Sequence, residues 1–577
     1  MALAPFGEWR PDVSDLRAGY TRLLRNVVPR SDGYGPFKAN EAFTSALPAA
    51  CRGYFVARTE DGTAQIFAGT ATQLYLLNNA TLDWSVVSLS GGPYSSLDSD
   101  ANWVFAQFNN IVIATHRNVV MQKYDLTADT EFDALGGTPP QAGWVAVVGR
   151  TLVACDLLDN PFRVHWSDIN GITTWDGTAN SDYQDLPDNG RAYCVAEVSG
   201  DVGLIFQAGG VRRMVFAAGS DFVFQIDRLP ACPGILAPNS LVVVAGNAYY
   251  LSVKGFQKAD ANGGCIPIGE ERVDRTFLGQ HADTAPADVR SLAYNDASPQ
   301  LVIGAADPAR GIIIWGYCSN QNSDTTLDLG LIYQTTIERW SPVEIGGEYL
   351  APIVRPGLTL ENLDQVAPGA LAITGAADNG SGLIRLTVSS TAALTTGDVK
   401  TVSSVGGVTA ANATWAITVV DGTHIDLQGS AMAGVYTSGG YVGGSLDELP
   451  FSLDSVSTAS LPNVSVITTN HELGFFSGSA REAELHTSEQ AIDKGYRIDI
   501  NGLRPITDAE DAYCAVSKRD RLTGEAEEGD ESQIDDDGNC PVLEETRYAR
   551  ARLRIPAATA WTFATGIEPD VRRAGEF

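Results

Sequence analysis

The sequence has few features that direct a protein to a membrane or to DNA. Its longest apolar runs, such as residues 241–245 and 312–315, have the length of a β-strand and are far shorter than a spanning helix. The first residues have neither the basic start nor the apolar segment of a signal peptide. Basic residues are also scarce: 39 Lys and Arg stand against 70 Asp and Glu, a net charge of −31. We therefore expect no membrane-spanning segment and no strong DNA binding.

Residue patterns that support catalysis or metal binding are also missing. The eight cysteines include no Cys-x-x-Cys pair, and the six histidines belong to no metal or nucleophile motif. Residues 165–177 are superficially similar to the turns of glycosidase propellers, but Asp168 precedes Gly171 by three positions instead of two, and the segment occurs once. We predict no enzyme activity, no cofactor and no metal site. We interpret residues 165–177 as a strand followed by a turn with aromatic anchors.

Short β-rich runs separated by Gly, Asn and Asp repeat from residue 50 onwards. The first unit contains four runs, at residues 53–58, 64–68, 73–77 and 84–89, with hairpin-type breaks between them. A four-stranded meander cannot bury both faces alone, and a β-propeller stacks such units around an axis. The predicted fold class is therefore all-β, a propeller of four-stranded antiparallel blades, with a series of β-sandwiches as the alternative. Successive units begin 49, 41, 49, 48 and 51 residues apart, at Tyr54, Trp103, Trp144, Tyr193, Leu241 and Leu292.

Changes in composition divide the chain into four parts. Residues 1–50 contain several aromatic residues and are predicted to be an arm that contacts neighbouring subunits or an adaptor protein. Residues 51–365 are the first part of the propeller. Residues 366–445, rich in Ala, Gly, Thr, Ser and Val, indicate an inserted small β-barrel or sandwich. Residues 446–577 resume the strand pattern and are predicted to complete the propeller, with an acidic loop at 525–538.

Two groups of charged residues are candidates for functional surfaces. Four arginines of the arm are expected to contact neighbouring subunits or the adaptor: Arg17, Arg22, Arg25 and Arg30. Eight carboxylates of the acidic loop are expected to line a channel or to form an acidic surface: Glu525, Glu527, Glu528, Asp530, Glu531, Asp535, Asp536 and Asp537. Neither this loop nor residues 98–102 has the central Gly and the bidentate Glu of a complete calcium loop, so we interpret both as solvated turns.

Several segments of distinctive composition follow one another along the chain: FRVHWSDINGITTW at 162–175, GVRRMVF at 210–216, FVFQI at 222–226, NAYYLSVKGF at 247–256 and IGEERVDRTF at 268–277. In order and composition they resemble the tail nozzle or hub proteins of short-tailed bacteriophages, also described as tail tubular or DNA-stabilisation proteins. Residues 9–12 and 26–36 resemble the start of that family, and residues 504–508 and 546–557 resemble its end. The resemblance leaves out residues 366–445, which are similar to small β-modules of other phage virion proteins.

The resemblance implies a structural virion protein without enzyme activity or cofactor. Such proteins form a homo-hexameric ring below the portal and adaptor, as part of the channel through which DNA leaves. The implied partners are sister copies, the portal-adaptor protein, tail fibres or spikes, and genomic DNA in transit. The implied location is the virion tail, after synthesis in the cytoplasm of the bacterial host. Two alternatives stay open: a receptor- or glycan-binding tail propeller, and a glycan hydrolase, which needs paired carboxylates in a pocket.

Overall fold

The computed structural model describes residues 3–14, 16–17, 19–60, 62–99, 101–217, 222–281, 287–353, 371–392, 394–443, 463–491 and 496–576. These residues form an almost entirely antiparallel β-structure, in which Gly, Asn and Asp supply the tight turns. No helix of the described part is long and apolar enough to cross a bilayer. The helices are the α-helices Asp274–Phe277 and Ala287–Arg290 and the 3₁₀ turns Leu89–Gly91, Pro187–Asn189, Pro238–Ser240, Pro299–Leu301 and Thr409–Ala411.

Five four-stranded sheets follow one another, each with its strands paired in chain order, and are numbered as blades one to five. Their runs of Val, Ile, Phe and Tyr suit a strand that is packed on both faces. The strands are Tyr54–Arg58, Ala64–Gly69, Leu74–Leu77 and Trp84–Val86 in blade one; Val104–Phe108, Ile111–His116, Val119–Asp125 and Asp133–Ala134 in blade two; Ala142–Val148, Thr151–Leu157, Arg163–Trp166 and Asp182–Asp185 in blade three; Ala192–Ser199, Val202–Gln207, Val211–Phe216 and Phe224–Leu229 in blade four; and Val242–Val244, Asn247–Ser252, Gly255–Asp260 and Cys265–Pro267 in blade five.

One long strand, Arg339–Ile353, belongs to both blade six and blade seven. Its first half pairs with Leu327–Gln334 and its second half with Asn463–Thr468. The strand changes blade at Gly346, whose φ of +69° lies in the left-handed region that glycine adopts without strain. Blade six therefore consists of Ile303–Asp307, Ile312–Tyr317, Leu327–Gln334 and the first half of the long strand. Blade seven consists of the second half, Asn463–Thr468, Glu472–Phe475 and Glu41–Ala46.

The strand Glu41–Ala46 closes the ring as the outermost strand of blade seven, paired with Glu472–Phe475. Apolar cores fill the gaps between neighbouring blades. The core between blades seven and one contains Phe43, Tyr54 and Phe475. Because the stacked blades bury each other's faces, the ring needs no further layer to cover them. The described residues thus form a seven-bladed β-propeller, and this confirms the predicted fold class.

A closed six-stranded barrel is inserted between the first and second strands of blade seven. Its interior contains the alternating side chains of Ile384, Leu386 and Val388, together with Ile425 and Leu427, as expected for strands with one buried face. The insertion is the small β-barrel that the composition predicts. The strand order around it is Leu371–Asp378, Ile384–Val388, His424–Gln428, Thr414–Val419, Val399–Ser403 and Tyr441–Gly443.

Both ends of the chain combine into a second β-structure, the terminal module, made of residues 4–36 and 483–576. It shares one hydrophobic core with blades five and six, in which Trp9 and Tyr34 lie with Trp315 and Trp340. A short parallel pair joins Glu8–Trp9 to Tyr20–Thr21. The first sheet has the order Cys540–Thr546, Tyr496–Thr507, Ala564–Glu576, Gly33–Pro36 and Val27–Arg30, with Ala4–Pro5 also on Ala564–Glu576; the second has the order Leu24–Arg25, Ala483–His486, Tyr548–Ile555, Tyr513–Arg519 and Glu527–Glu528, with Ser532–Gln533 also on Tyr513–Arg519.

The structure differs from the predicted domain division at both ends of the chain. Residues 1–50 are not an extended arm, since strands between 4 and 36 belong to the terminal module and Glu41–Ala46 belongs to blade seven. Among the described residues of 446–577, the strands between 463 and 475 complete the propeller, and the strands from 483 onwards form the terminal module. The strands of the propeller and those of the terminal module have the same sequence pattern, so the pattern alone does not show which sheet a strand joins.

Asp274 is a buried carboxylate where the terminal module meets blade five. It begins the helix Asp274–Phe277, whose Thr276 backbone N–H and Oγ1 each donate a hydrogen bond of 2.8 Å to Asp12. The Oδ1 of Asp274 accepts a hydrogen bond from the N–H of Phe256 at 3.0 Å, and its buried Oδ2 has no hydrogen-bond partner among the described residues. Burial raises the pKa of Asp274 to about 7.

Replacement of this carboxyl by an amide is expected to stabilise the protein at high pH. The unfolded Asp ionises near pH 4 and the folded Asp274 near pH 7, so the folded state binds more protons between these values and the free energy of unfolding falls as pH rises. We expect Asp274→Asn to raise the free energy of unfolding by ~4 kcal/mol at pH 8 and to bring little gain at pH 4. Denaturant unfolding at pH 4, 6 and 8 measures this difference. An equal gain at all three values would contradict the expected titration.

Candidate functional site

An arginine ladder runs along one face of the terminal module. Strand Tyr548–Ile555 alternates apolar and basic residues, so Leu553 and Ile555 enter the core while Arg550, Arg552 and Arg554 line the opposite face. The guanidinium of Arg554 lies 4.6 Å from the centre of the Tyr513 ring. The ladder concentrates positive charge in a chain that is strongly acidic overall.

The acidic loop at 525–538 covers part of this ladder. Glu528 lies 3.0 Å from Arg552, and Glu531 lies 2.6 Å from both Arg552 and Arg554. The hydrogen bond from Arg554 is the main cause that lowers the pKa of Glu531. Two of the eight predicted carboxylates therefore neutralise arginines of the same chain.

The other six carboxylates of the loop lie on the surface: Glu525, Glu527, Asp530, Asp535, Asp536 and Asp537. Asp535 shapes its turn, because its Oδ1 accepts hydrogen bonds from the N–H groups of Asp537 at 3.0 Å and Asn539 at 2.8 Å. An Asx turn of this kind is a common local structure and does not by itself indicate a metal site. No group of three or more metal-ligating side chains is found in the described part of the chain.

The four arginines that the sequence singles out lie in different surroundings. Arg25 forms ion pairs with Glu344 at 2.6 Å and Glu482 at 3.5 Å, so it joins the terminal module to blade six. Arg17 lies 5.1 Å above the ring of Tyr20. The backbone carbonyl of Arg22 accepts a hydrogen bond from the indole of Trp9 at 2.8 Å. The carbonyl of Arg30 accepts one from Arg339 at 2.9 Å.

The strand Cys540–Thr546 forms one edge of the first sheet of the terminal module. It pairs only with Tyr496–Thr507 in the described structure, so its outer N–H and C=O groups have no ladder partner there. Leu543 on this strand is 84% exposed. The neighbouring carboxylates of Glu544 and Glu545 are paired with Lys518 at 2.6 Å and Arg497 at 3.1 Å. An open strand edge offers its N–H and C=O groups to another chain, and here the charges of Glu544 and Glu545, which would oppose such pairing, are neutralised within the chain.

A cavity of about 290 Å³, the axial mouth, lies at one end of the propeller axis. Residues next to the starts of the inner strands of five blades line it, among them Asn102, Trp144, Tyr193, Asn239 and Gln300. Inner strands of a propeller start on the same face of the ring, so short segments far apart in sequence meet here. Clefts of this kind, with a few convergent polar groups, are where soluble proteins bind small ligands.

Asp156 organises the charged side of the axial mouth. Arg191 donates two hydrogen bonds to its carboxylate, from Nε at 2.5 Å and from Nη2 at 2.9 Å, and Arg117 Nε lies 3.7 Å from Oδ2. Asp156 has a φ of +58°, which is rare for a residue with a side chain. Gly143 leaves the space for it, since a Cβ there would lie 2.2 Å from the carboxylate. Strained backbone of this type is frequent at binding sites.

Sequence reasoning does not find this cluster. Asp156 and Arg191 are 35 positions apart, and Arg117 belongs to the turn of another blade, so no local spacing marks the three residues. Because the three residues belong to different blades, they meet only when the blades pack side by side in the propeller.

The segment that is superficially similar to a glycosidase turn has a structural explanation. His165 is on strand Arg163–Trp166, with its ring edge-on to Trp175 at 5.4 Å and to Tyr183 at 5.8 Å. The Oδ1 of Asp168 accepts hydrogen bonds from the N–H of Ile169 at 2.8 Å and from the side chain of Asn180 at 2.9 Å. Strand, turn and aromatic anchors are arranged as the sequence predicts.

The fold places the chain in the class of β-propeller proteins. Its sequence matches no protein-family profile and no curated protein. Among solved structures it is similar to U3-55K, with 9% identity, a TM-score of 0.36 and coverage of 61% of this chain and 93% of that one. The WD40 repeats of RRP9 give 8% identity and a TM-score of 0.34, with coverage of 61% and 92%. The extracellular domain of the two-component system BT4673 from B. thetaiotaomicron gives 10% identity and a TM-score of 0.36, with coverage of 61% of this chain and 44% of that one. Similarity at this level concerns the fold alone.

Proposed function

We propose that this protein is a structural component of a short bacteriophage tail, the nozzle or hub. In this proposal six copies form a ring attached to the adaptor, next to tail fibres or spikes, and genomic DNA passes through the ring during ejection. The segments that resemble the nozzle family support it, because they belong to blades three to five and to the terminal module. The family resemblance thus involves both main parts of the described chain outside the barrel.

The observation that carries the proposal is the open edge strand Cys540–Thr546 with its exposed Leu543. The propeller closes without this strand, so its edge is available for a neighbouring molecule. A contact between this edge and a different surface of the next copy is heterologous. Repeated heterologous contacts form a closed ring of copies when the rotations from each copy to the next add up to a full turn. Because the terminal module shares one hydrophobic core with blades five and six, a contact at this edge would fix the orientation of the whole propeller relative to the next copy.

The charge of the chain suits a conduit for DNA. The net charge is −31, and the surface carboxylates of the acidic loop are not neutralised by the arginine ladder, except for Glu528 and Glu531. Phosphates are repelled by such surfaces within about 8 Å at physiological salt, so DNA slides past without adhering. A wall rich in Arg and Lys would bind the passing DNA instead.

Ring formation by the purified protein is expected to depend on Leu543. Negative-stain microscopy and mass photometry should show closed rings with six times the mass of the 61.3 kDa chain. The substitution Leu543→Lys places a charge in the contact and is expected to shift the population to single chains by at least tenfold, about 1.4 kcal/mol. Val435→Lys is the matched control, because Val435 is 79% exposed but lies on the barrel. Wild-type protein that stays monomeric at all concentrations, or rings unaffected by Leu543→Lys, would contradict this contact.

The position of the protein in the virion is tested separately. Antibody labelling of purified virions should mark the distal end of the tail. Labelling of the capsid, or absence of the protein from virions, would refute the nozzle assignment even if rings form in solution.

A further inference from the structure

The axial mouth has the size of a site for one small ring-shaped ligand. Its volume is about 290 Å³, and a water molecule in the liquid occupies about 30 Å³, so the mouth holds the equivalent of about ten waters. It is lined from five blades by residues that precede or begin inner strands. The surrounding blades hold these residues on a rigid framework, which favours a preformed site.

Aromatic rings form one side of the mouth. Trp144 and Tyr193 are half-buried on the inner strands of the adjacent blades three and four. The indole N–H of Trp144 donates to the carbonyl of Val195 at 2.9 Å, and the guanidinium of Arg191 lies 4.9 Å from the Tyr193 ring centre. Both rings are thereby held in place, and each leaves part of its surface exposed to the cavity. Such rings pack well against the apolar C–H face of a ligand.

Polar groups of mixed character also line the mouth. Arg117 and Arg191 supply guanidinium donors, and Asn102, Asn239 and Gln300 supply amides that both donate and accept. The Nε of Arg117 has no hydrogen-bond acceptor among the described residues. Apart from His116, the charged residues among the described lining residues are these two arginines and two aspartates, Asp98 and Asp156, and the charges of these four balance.

This balance distinguishes between classes of ligand. A phosphate or carboxylate ligand is bound best where positive charge is in excess, and a purely apolar ligand would offer no acceptor to the Nε of Arg117 and no hydrogen bonds to the amides of the mouth. A sugar ring has hydroxyls that both donate and accept and a C–H face that is apolar. We propose that the axial mouth binds a neutral pyranose sugar, with its C–H face on Trp144 or Tyr193 and its hydroxyls on Arg117 and the amides. This inference goes beyond the nozzle function and does not depend on ring assembly.

Saturation-transfer NMR and calorimetry of the full chain test the proposal. The ligands are the methyl glycosides of glucose, mannose and galactose, with methyl glucuronide and inorganic phosphate as charged comparisons. We expect at least one neutral glycoside to bind, with transfer strongest at its ring C–H protons. Binding should weaken at least tenfold in Arg117→Gln and in Tyr193→Ala, two variants on different blades.

A matched variant controls for the loss of an arginine. Arg310→Gln removes a guanidinium whose Nε lies 3.6 Å from the buried Asp307, similar to the 3.7 Å between Arg117 and Asp156, but Arg310 does not line the mouth. It should leave sugar binding unchanged, and circular dichroism should show all variants folded. The proposal is overturned if no neutral glycoside binds, if only methyl glucuronide or phosphate binds, or if folded Arg117→Gln and Tyr193→Ala bind as tightly as the wild type.

Discussion

Removal of residues 1–46 is expected to prevent the chain from folding into a stable propeller. The deletion takes away Glu41–Ala46, so Glu472–Phe475 loses its outer partner and blade seven exposes a row of unpaired N–H and C=O groups. It also removes Phe43 from the core between blades seven and one, and Trp9 and Tyr34 from the core of the terminal module. We expect insoluble protein, or soluble protein without a cooperative unfolding transition, measured by circular dichroism and limited proteolysis.

A deletion elsewhere provides the contrast. Replacement of residues 371–443 by a short Gly-Ser linker removes more residues, but the barrel has a core of its own. We expect this variant to keep a folded propeller with an unfolding midpoint close to that of the full chain. If the chain without residues 1–46 were soluble and unfolded cooperatively, the strand Glu41–Ala46 would not be needed to close the propeller.

Truncation of Trp340 is expected to destabilise the protein strongly, because this side chain joins three parts of the molecule. The side chain is fully buried, and its Nε1 donates to the carbonyl of Ile268 at 3.1 Å. Its ring lies 4.7 Å from Tyr333 and 5.1 Å from Phe256, at the junction of blades five and six with the terminal module. Trp-to-Ala changes in cores cost about 3–5 kcal/mol, and an unsatisfied carbonyl adds ~1 kcal/mol. We expect Trp340→Ala to lower the free energy of unfolding by about 5 kcal/mol.

A tryptophan of the barrel serves as the comparison for Trp340. The indole of Trp415 also donates a hydrogen bond to a backbone carbonyl, that of Ala411 at 2.8 Å, but its packing partners belong to the barrel core. Denaturant unfolding followed by far-ultraviolet circular dichroism should show a lower midpoint for the propeller in Trp340→Ala and an unchanged one in Trp415→Ala. A loss below ~1 kcal/mol in Trp340→Ala would mean that the core is not shared between the propeller and the module.

Local features were well predicted because they depend on neighbours in the chain. The unit starts at Tyr54, Trp103 and Tyr193 lie within one residue of the observed inner strands, since Gly, Asn and Asp mark the turns and apolar runs mark the strands. The start at Leu292 is early by eleven residues relative to Ile303, because a helix and a 3₁₀ turn occupy the region before this strand. Helical turns of three or four residues are too short to leave a periodic pattern.

The contacts of the candidate sites depend on residues that are far apart in the sequence. The acidic loop was recognisable from composition, but its pairing with the arginine ladder depends on the register of Tyr548–Ile555 against Tyr513–Arg519. The axial mouth had no sequence signal, since Arg117 lies in a turn of blade two, Asp156 on a strand of blade three and Arg191 just before the first strand of blade four. Arg25 pairs with Glu344 and Glu482 within the chain, and its predicted contact with a neighbouring subunit or the adaptor stays a prediction.

The sequence by itself determined that this is an all-β protein of repeated four-stranded units with a small inserted β-domain, either a barrel or a sandwich. Alternating apolar and polar side chains mark the strands, and turn residues mark their ends. Both signals lie within a few positions of each other, where chain connectivity limits the conformations that the backbone can adopt. Only the tertiary structure decided that seven blades close through an N-terminal strand, that both chain ends form one module, and which charges meet. Those pairings join segments hundreds of residues apart, and they are selected by the burial of apolar surface and the pairing of backbone groups across the whole molecule.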